Sequence, residues 1–389
     1  MQWHPDMAKT SPADTVPLHD QLQKLAAFQP GDAPVISLYL DLKPNQHGRD
    51  EYGAFVRKAF AERLRTAPPG SSQHRNLERA SERISSYLAT ELKPSSNGLA
   101  IFSAGEGELE AIQFDAPLTE HALFIAPVPY LYPLARLVDQ YPRYAAVVLD
   151  RNHARIFVVS LGSIERREEV VGTKTRRTSM GGWSQARYQR HIENIHLTHI
   201  KEVVDMLDRT VRDERVERIV VAGDEVVVAL LREQLPQRLI DKLIDLPSIG
   251  KEMPDAEIVK GTLDAMRRKD AESDAEAVAD VVDAWQAGGL GVMGPEASLS
   301  ALERGQVDEL LITADVQELK PVQAFPEDSP SGDVVAETSA TAGGDDRRHK
   351  LSSELVTRAQ QTAARVRVIE DAALLEPYGG VGARLRFRL

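Results

Sequence analysis

The chain has 389 residues, 42% of them hydrophobic and 27% charged, and no cysteine. This is the composition of a globular protein. It excludes a fibrous or wholly disordered chain, disulfides, thiol catalysis and Cys-based metal sites. The net charge of −12 argues against a protein that coats nucleic acid without selectivity.

In chain order, residues 1–17 are rich in Pro and Asp and read as a disordered arm. A helix is expected over 18–28. PVISLYLDL (34–42) alternates with period two and reads as a strand. Helices over 49–65 and 75–92 flank the breaker Pro68-Pro69-Gly70, and strands follow at 98–103 and 109–114. Residues 121–138 read as a strand running into a helix. Together 18–140 form an N-terminal α+β domain. A hairpin of 145–150 and 154–161, a third strand over 164–171, a long helix from about 185 to 215 and a buried-type strand at 218–224 predict a middle domain with a mixed sheet over 141–256. The remainder, 257–389, predicts a smaller α/β domain. It opens with a charged helix over 257–286 and has a helix at 351–365. It closes on VGARLRFRL, whose Val381, Ala383, Leu385, Phe387 and Leu389 share one face of a final strand. Residues 326–350 are polar enough to read as a disordered insert. No run of about 18 apolar residues offers a membrane-spanning helix, and the first residues lack the apolar core of a signal peptide. A cytoplasmic protein with no membrane partner is expected.

Charge is unevenly distributed. Residues 172–201 hold six bases (Lys174, Arg176, Arg177, Arg187, Arg190, Lys201) and one acid, Glu193. That segment carries +5 and leaves −17 on the rest of the chain. The pattern points to one phosphate-contacting element on an acidic body; a solvated helix face is the plainer alternative. Within the segment, SMGGWSQARYQRHIENIH (179–196) puts two glycines beside Trp183, a large ring in a polar loop and suited to stacking. Arg187 and Arg190, three apart, share a helix face. His191, His196 and His199 suggest no metal site, because no carboxylate completes a ligand pattern; they read as satisfied or exposed histidines. Asp150, at a strand end, stands where a metal-dependent nuclease would carry an acid, and the third strand offers the pair Glu168-Glu169, which Arg166-Arg167 adjoins. No phosphate-cradling P-loop and no nucleophile-elbow motif occur. No cofactor is expected.

Three stretches resemble a known family. SNGLAIFSA (96–104) with PYLYPLARLV (129–138), then AAVVLDRNHARIFVVSLG (145–162) leading to GGWSQARYQRHIENIH (181–196), then GLGVMGPEASLSALERGQVDELLITADV (289–316) occur in that order. The order and motifs resemble the archaeo-eukaryotic class I release factors and Pelota, and more closely their bacterial relatives, which include a ribosome hibernation factor. The resemblance implies three domains: the α+β N-terminal domain, an RNase H-like middle domain without nuclease activity, and a C-terminal α/β/α sandwich. It implies a ribosome-binding translation factor whose GG loop reaches the rRNA of the peptidyl-transferase centre. The C-terminal domain would meet an elongation-factor-class GTPase. The implied rRNA-binding residues are Lys174, Arg176, Arg177, Gly181, Gly182, Trp183, Ser184, Gln185, Arg187 and Arg190. Trp183 falls where the family carries its catalytic Gln. Gln185, two positions later, is the one candidate catalytic residue, and no stop-codon motif is recognisable in 43–75. The expected role is therefore occupation of the ribosomal A site in hibernation or rescue, without decoding. The alternatives are a ribosome-dependent peptidyl-tRNA hydrolase and a non-ribosomal RNA or protein interaction module.

Overall fold

The computed structural model describes residues 18–29, 31, 33–45, 47–105, 108–171, 185–244, 254–322, 325, 334–338 and 346–388, with backbone alone over 185–195. The first elements are α1 (Leu18–Ala26), β1 (Val35–Asp41), α2 (Tyr52–Thr66), α3 (Ser72–Thr90), β2 (Gly98–Ala104), β3 (Glu108–Phe114), β4 (Ala122–Ala126) and α4 (Tyr132–Gln140). The middle of the chain forms β5 (Tyr144–Leu149), β6 (His153–Ser160), β7 (Ser163–Val171), α5 (Gln185–Asp213), β8 (Arg218–Gly223), α6 (Glu225–Gln234), α7 (Gln237–Ile240) and β9 (Leu243–Ile244). There follow α8 (Asp255–Gln286), β10 (Gly291–Met293), α9 (Pro295–Glu303), β11 (Val307–Thr313), β12 (Val335–Thr338), α10 (Asp346–Gln361), β13 (Arg365–Ile369) and β14 (Val381–Leu385). The result is an α/β protein with three sheets. It divides into two compact units, residues 1–140 with 271–389 and residues 141–270.

The first unit holds two of the sheets. One is antiparallel, in the order β12-β4-β1-β2-β3. Its Ile36, Leu38, Leu40, Leu99 and Ile101 form one core with Val56, Phe60, Leu77 and Ile84 of α2 and α3. The other sheet runs β10-β14-β11-β13, with β11 and β13 parallel. Val278 and Val281 of α8 pack with Leu311 and Ile369 on one face, while α9 and α10 lie on the other.

Two expectations fail in this unit. Residues 335–338, inside the stretch read as a disordered insert, are strand β12, paired to β4 with Ala336 opposite Phe124. Residues 346–350 begin α10. Averaged over 25 mostly polar residues, the short apolar signal of Val334 and Ala336 disappears. In the fold both are buried, and the strand pairs backbone groups along β4, whose five residues are all buried. The rest of 326–350, like residues 1–17, lies outside the described residues. The final strand also ends early. Its partner β11 begins at Val307, opposite Leu385, so the alternation continues past the available ladder and Phe387 is 45% exposed; Leu389 lies outside the described residues.

The second unit is built on the mixed sheet β7-β6-β5-β8-β9. Strands β5, β6 and β7 are antiparallel, while β8 and β9 run parallel to β5, the mixed sheet expected of the middle domain. On one face, Ile200, Val203, Val204, Leu207 and Val211 of α5 pack on Leu149, Ala154, Ile156, Val158 and Val170. On the other, Ile258, Val259 and Met266 of α8 pack on Ala146, Val148, Phe157 and Val220. There the Tyr144 hydroxyl meets Thr262 Oγ1 at 2.8 Å.

An ion network adds direction to this apolar packing. Arg143 Nη2 donates to Glu214 Oε2 at 2.6 Å, and Arg166 Nη1 to Glu214 Oε1 at 2.8 Å. Arg143 also pairs with Glu165 and donates to the Glu214 carbonyl. Glu214, just beyond the last turn of α5, thereby ties that helix to the start of β5 and of β7. Burial pushes the Glu214 carboxyl up, but hydrogen bonds from Arg166 and Arg143 and their charges outweigh it and hold the carboxyl below its ordinary 4.5. A carboxyl depressed in the fold contributes stability above its unfolded value, and loses it as the pH falls through the folded one.

At the opposite end, Gly223 closes β8 at φ +140°, and a Cβ there would overlap the Leu149 carbonyl oxygen. The chain can therefore turn beside β5 only without a side chain. Gly223→Ala should destabilise the protein by about 3 kcal/mol or more, because strain and overlap act together; thermal unfolding measures it. Glu214→Gln should cost about 1–2 kcal/mol at pH 7, allowing for the partial exposure of the network. It should also flatten the stability curve below pH 4.5, which urea titrations across pH 3–7 would show.

Candidate functional site

Most of the expected contact segment lies outside the described residues: Lys174, Arg176, Arg177, Gly181, Gly182, Trp183 and Ser184 all fall there. Gln185, Arg187 and Arg190 belong to the first two turns of α5, known by their backbone alone. Gln185 opens the helix. The first turn of a helix leaves backbone N–H groups without intrahelical partners and carries a partial positive charge. The basic segment therefore runs into an electropositive helix end.

The described residues supply the frame that holds this segment. It departs from Val171, at the end of β7, and returns at Gln185. Val171 pairs with His153 across the ladder. Beside that exit is an open cleft of about 190 Å³ lined by Val148, Leu149, Asp150, His153, Arg155 and Glu169. Asp150 Oδ1 accepts the backbone N–H groups of Asn152 at 2.8 Å and His153 at 2.9 Å, shaping the β5–β6 turn. The His153 ring stands 4.0 Å from Glu169. Asp255, at the start of α8, receives Arg155 at 2.6 Å and Arg167 at 3.0 Å.

This geometry bears on the nuclease alternative. Glu168 is paired with Arg166 at 2.7 Å. It neighbours Glu169 on a strand, so the two carboxylates point to opposite faces. Asp150 uses one oxygen in its turn. Among the described residues no three His, Asp or Glu side chains converge on a position that could hold a metal ion.

The histidines divide. The side chain of His191 lies outside the described residues, and His196 is half-buried. His199 departs from expectation: it is neither exposed nor satisfied. It is 2% exposed, and neither ring nitrogen has a hydrogen-bond partner among the described residues. Burial drives its pKa below the ordinary 6.5; Glu202 and Asp150 oppose that shift, while His153 and His196 add to it. The sequence placed His199 on a basic helix but carried no sign that it would be buried near Asp150 and His153. The tie through Arg143, Glu214 and Arg166 was also missed. Its partners are 71 and 48 residues apart, and no local pattern announces such a pairing.

Residues 129–285 match the family model of bacterial archaeo-eukaryotic release factor family 10. Peptide chain release factor subunit 1 of Pyrococcus abyssi is 23% identical over 96% of this chain and 98% of that protein. Its counterpart in Thermoplasma acidophilum is 22% identical over 94% of each. Among solved structures, ribosome-bound archaeal Pelota is 19% identical over 75% of this chain and 72% of that one, with a TM-score of 0.40. The chain is thus similar along nearly its whole length to archaeal peptide chain release factors, and its residues 129–285 match bacterial archaeo-eukaryotic release factor family 10.

Proposed function

We propose that the protein binds the ribosomal A site as a hibernation or rescue factor and presents residues 181–185 near the peptidyl-transferase centre without decoding a stop codon. The observation that carries this reading is the +5 segment 172–201 on a background of −17, rooted between β7 and the first turn of α5. Phosphate contacts supply most of the affinity for nucleic acid. An acidic body repels RNA everywhere except at that segment, which favours a single docking orientation. The family match over 129–285, which spans the segment, supports a translation role. Lys174, Arg176, Arg177, Arg187 and Arg190 contact rRNA phosphates, the Gly181-Gly182 backbone approaches closely, and Trp183 stacks, with Ser184 and Gln185 beside it. The C-terminal domain meets an elongation-factor-class GTPase, and the site of action is the cytoplasm; among the described residues no helix is long and apolar enough to cross a membrane.

One observation favours the alternative of a ribosome-dependent peptidyl-tRNA hydrolase. Gln185 is the first residue of α5, a position where backbone N–H groups lack intrahelical partners. The relatives matched over nearly the whole chain carry the name peptide chain release factor. Peptide release from stalled ribosomes that disappears in Gln185→Ala would establish that reading in place of the first.

Ribosome co-sedimentation should weaken steeply with salt, and replacing Arg176, Arg177, Arg187 and Arg190 with Glu should abolish it. Retention of binding by that variant rejects the docking surface. Trp183→Ala should weaken binding roughly 5- to 150-fold, the value of one base–aromatic stack, with partial recovery in Trp183→Phe. Peptide release should stay at background in all three proteins.

A further inference from the structure

Buried polar side chains are nearly always hydrogen-bonded, so an exception asks for a role. His199 is such an exception: it is 2% exposed, and among the described residues neither ring nitrogen has a hydrogen-bond partner. Its position is specific. It is the fifteenth residue of α5 and directly precedes Ile200, the first member of the apolar seam that binds this helix to the sheet. From there the helix runs back toward the basic segment. The charged groups acting on the ring are Glu202 and His196 on its own helix, and Asp150 and His153 on the β5–β6 turn. Behind His153 stands Glu169, and Arg155 follows on β6, held by Asp255.

We propose that His199 is an acid-sensitive latch. Neutral, the buried ring sits on α5 near Asp150 and His153 of the β5–β6 turn, and keeps the start of the apolar seam docked. Protonated, the ring carries two N–H donors that make no hydrogen bond where it is docked, and a charge that burial disfavours, so it leaves its buried position and loosens α5 ahead of Ile200. The consequence for ribosome binding, a loosened basic segment, rests on the function proposed above; the latch itself does not.

The direction of the pH effect follows from the burial. The neutral ring is favoured in the fold, so above the ordinary histidine value of 6.5 the latch contributes fully. As the pH falls below 6.5, the released ring takes up a proton that the docked ring does not, and docking weakens by up to about tenfold per pH unit until the folded value is reached. Glu214, which titrates below 4.5, stays charged through this window.

Hydrogen exchange on the full chain, without ribosomes, tests the latch. After correction for intrinsic rates, amides of residues 196–204 should lose about tenfold in protection between pH 7.0 and 5.5, while Ala146 and Val220 on the central strands keep theirs. His199→Leu, which takes the same buried position without titrating, should abolish the loss. His153→Asn and His196→Asn should retain it. Should His199→Leu fail to fold, the His199 ring Cε1 resonance in the wild-type chain decides: it should titrate below 6.5, in step with the exchange. Unchanged wild-type protection, the same loss in His199→Leu, or a ring that titrates at or above 6.5 overturns the proposal. Because no ribosome is present, none of these results bears on whether the basic segment binds rRNA.

Discussion

The seam between α5 and the middle sheet is the constraint on which the candidate site depends. Ile200, Val203, Val204, Leu207 and Val211 occupy one stripe of a helix of 29 residues, at the spacing a 3.6-residue period demands. Fully burying such side chains is worth about 1.5–3 kcal/mol each. This seam lies in the second half of the helix, so α5 reaches the basic segment as an arm held from behind. Arg166 of β7 and Arg143, just before β5, then set its direction by gripping Glu214. Apolar packing is tolerant of rotation about the helix axis, whereas two guanidinium groups on one carboxylate are not. The two roots of the segment, β7 and α5, are thereby tied through the same side chain.

The arginines of this unit also show why net charge alone misleads. Arg155 lines the cleft, Arg167 shares its partner Asp255, and Arg166 stands toward the far end of the sheet, held by Glu168 and Glu214. Paired guanidinium groups contribute little field at a distance, so these residues build the frame and do not extend the basic surface. The same pairing takes carboxylates away from any metal chemistry at the strand ends. Electrostatic work on a phosphate-rich partner falls to 172–201, where one acid stands among six bases.

In the first unit, remote parts of the chain are held together by buried polar contacts. Strand β12 completes the sheet begun by β1, and the Arg63 guanidinium donates to the Ala336 carbonyl at 3.2 Å. The Tyr130 hydroxyl meets Ser352 at 2.8 Å, and the Tyr132 hydroxyl donates to the Thr313 carbonyl at 2.6 Å. Each contact satisfies a group that would be costly to bury alone. Together they join residues 18–140 to the last third of the chain within a single compact unit, although each part has its own sheet.

The sequence by itself determined what depends on near neighbours. Alternation marked β1, β5 and β6, a helical stripe with clustered charge marked α5, and glycines and prolines marked most boundaries, because periodicity and turn chemistry are local. The motif around Gly181, Trp183 and Arg187 was likewise legible as a string, and so was its likeness to release factors. Tertiary structure alone decided the rest. Val335 to Thr338 became a strand because β4 had an open edge, Phe387 stayed exposed because β11 ran out, and Glu214 became a tie because two distant arginines arrived beside it. His199 became buried, with no hydrogen-bond partner among the described residues and with Asp150 and His153 from some fifty residues earlier beside it. A burial of that kind is set by which surfaces meet, and the order of residues along one helix does not carry it.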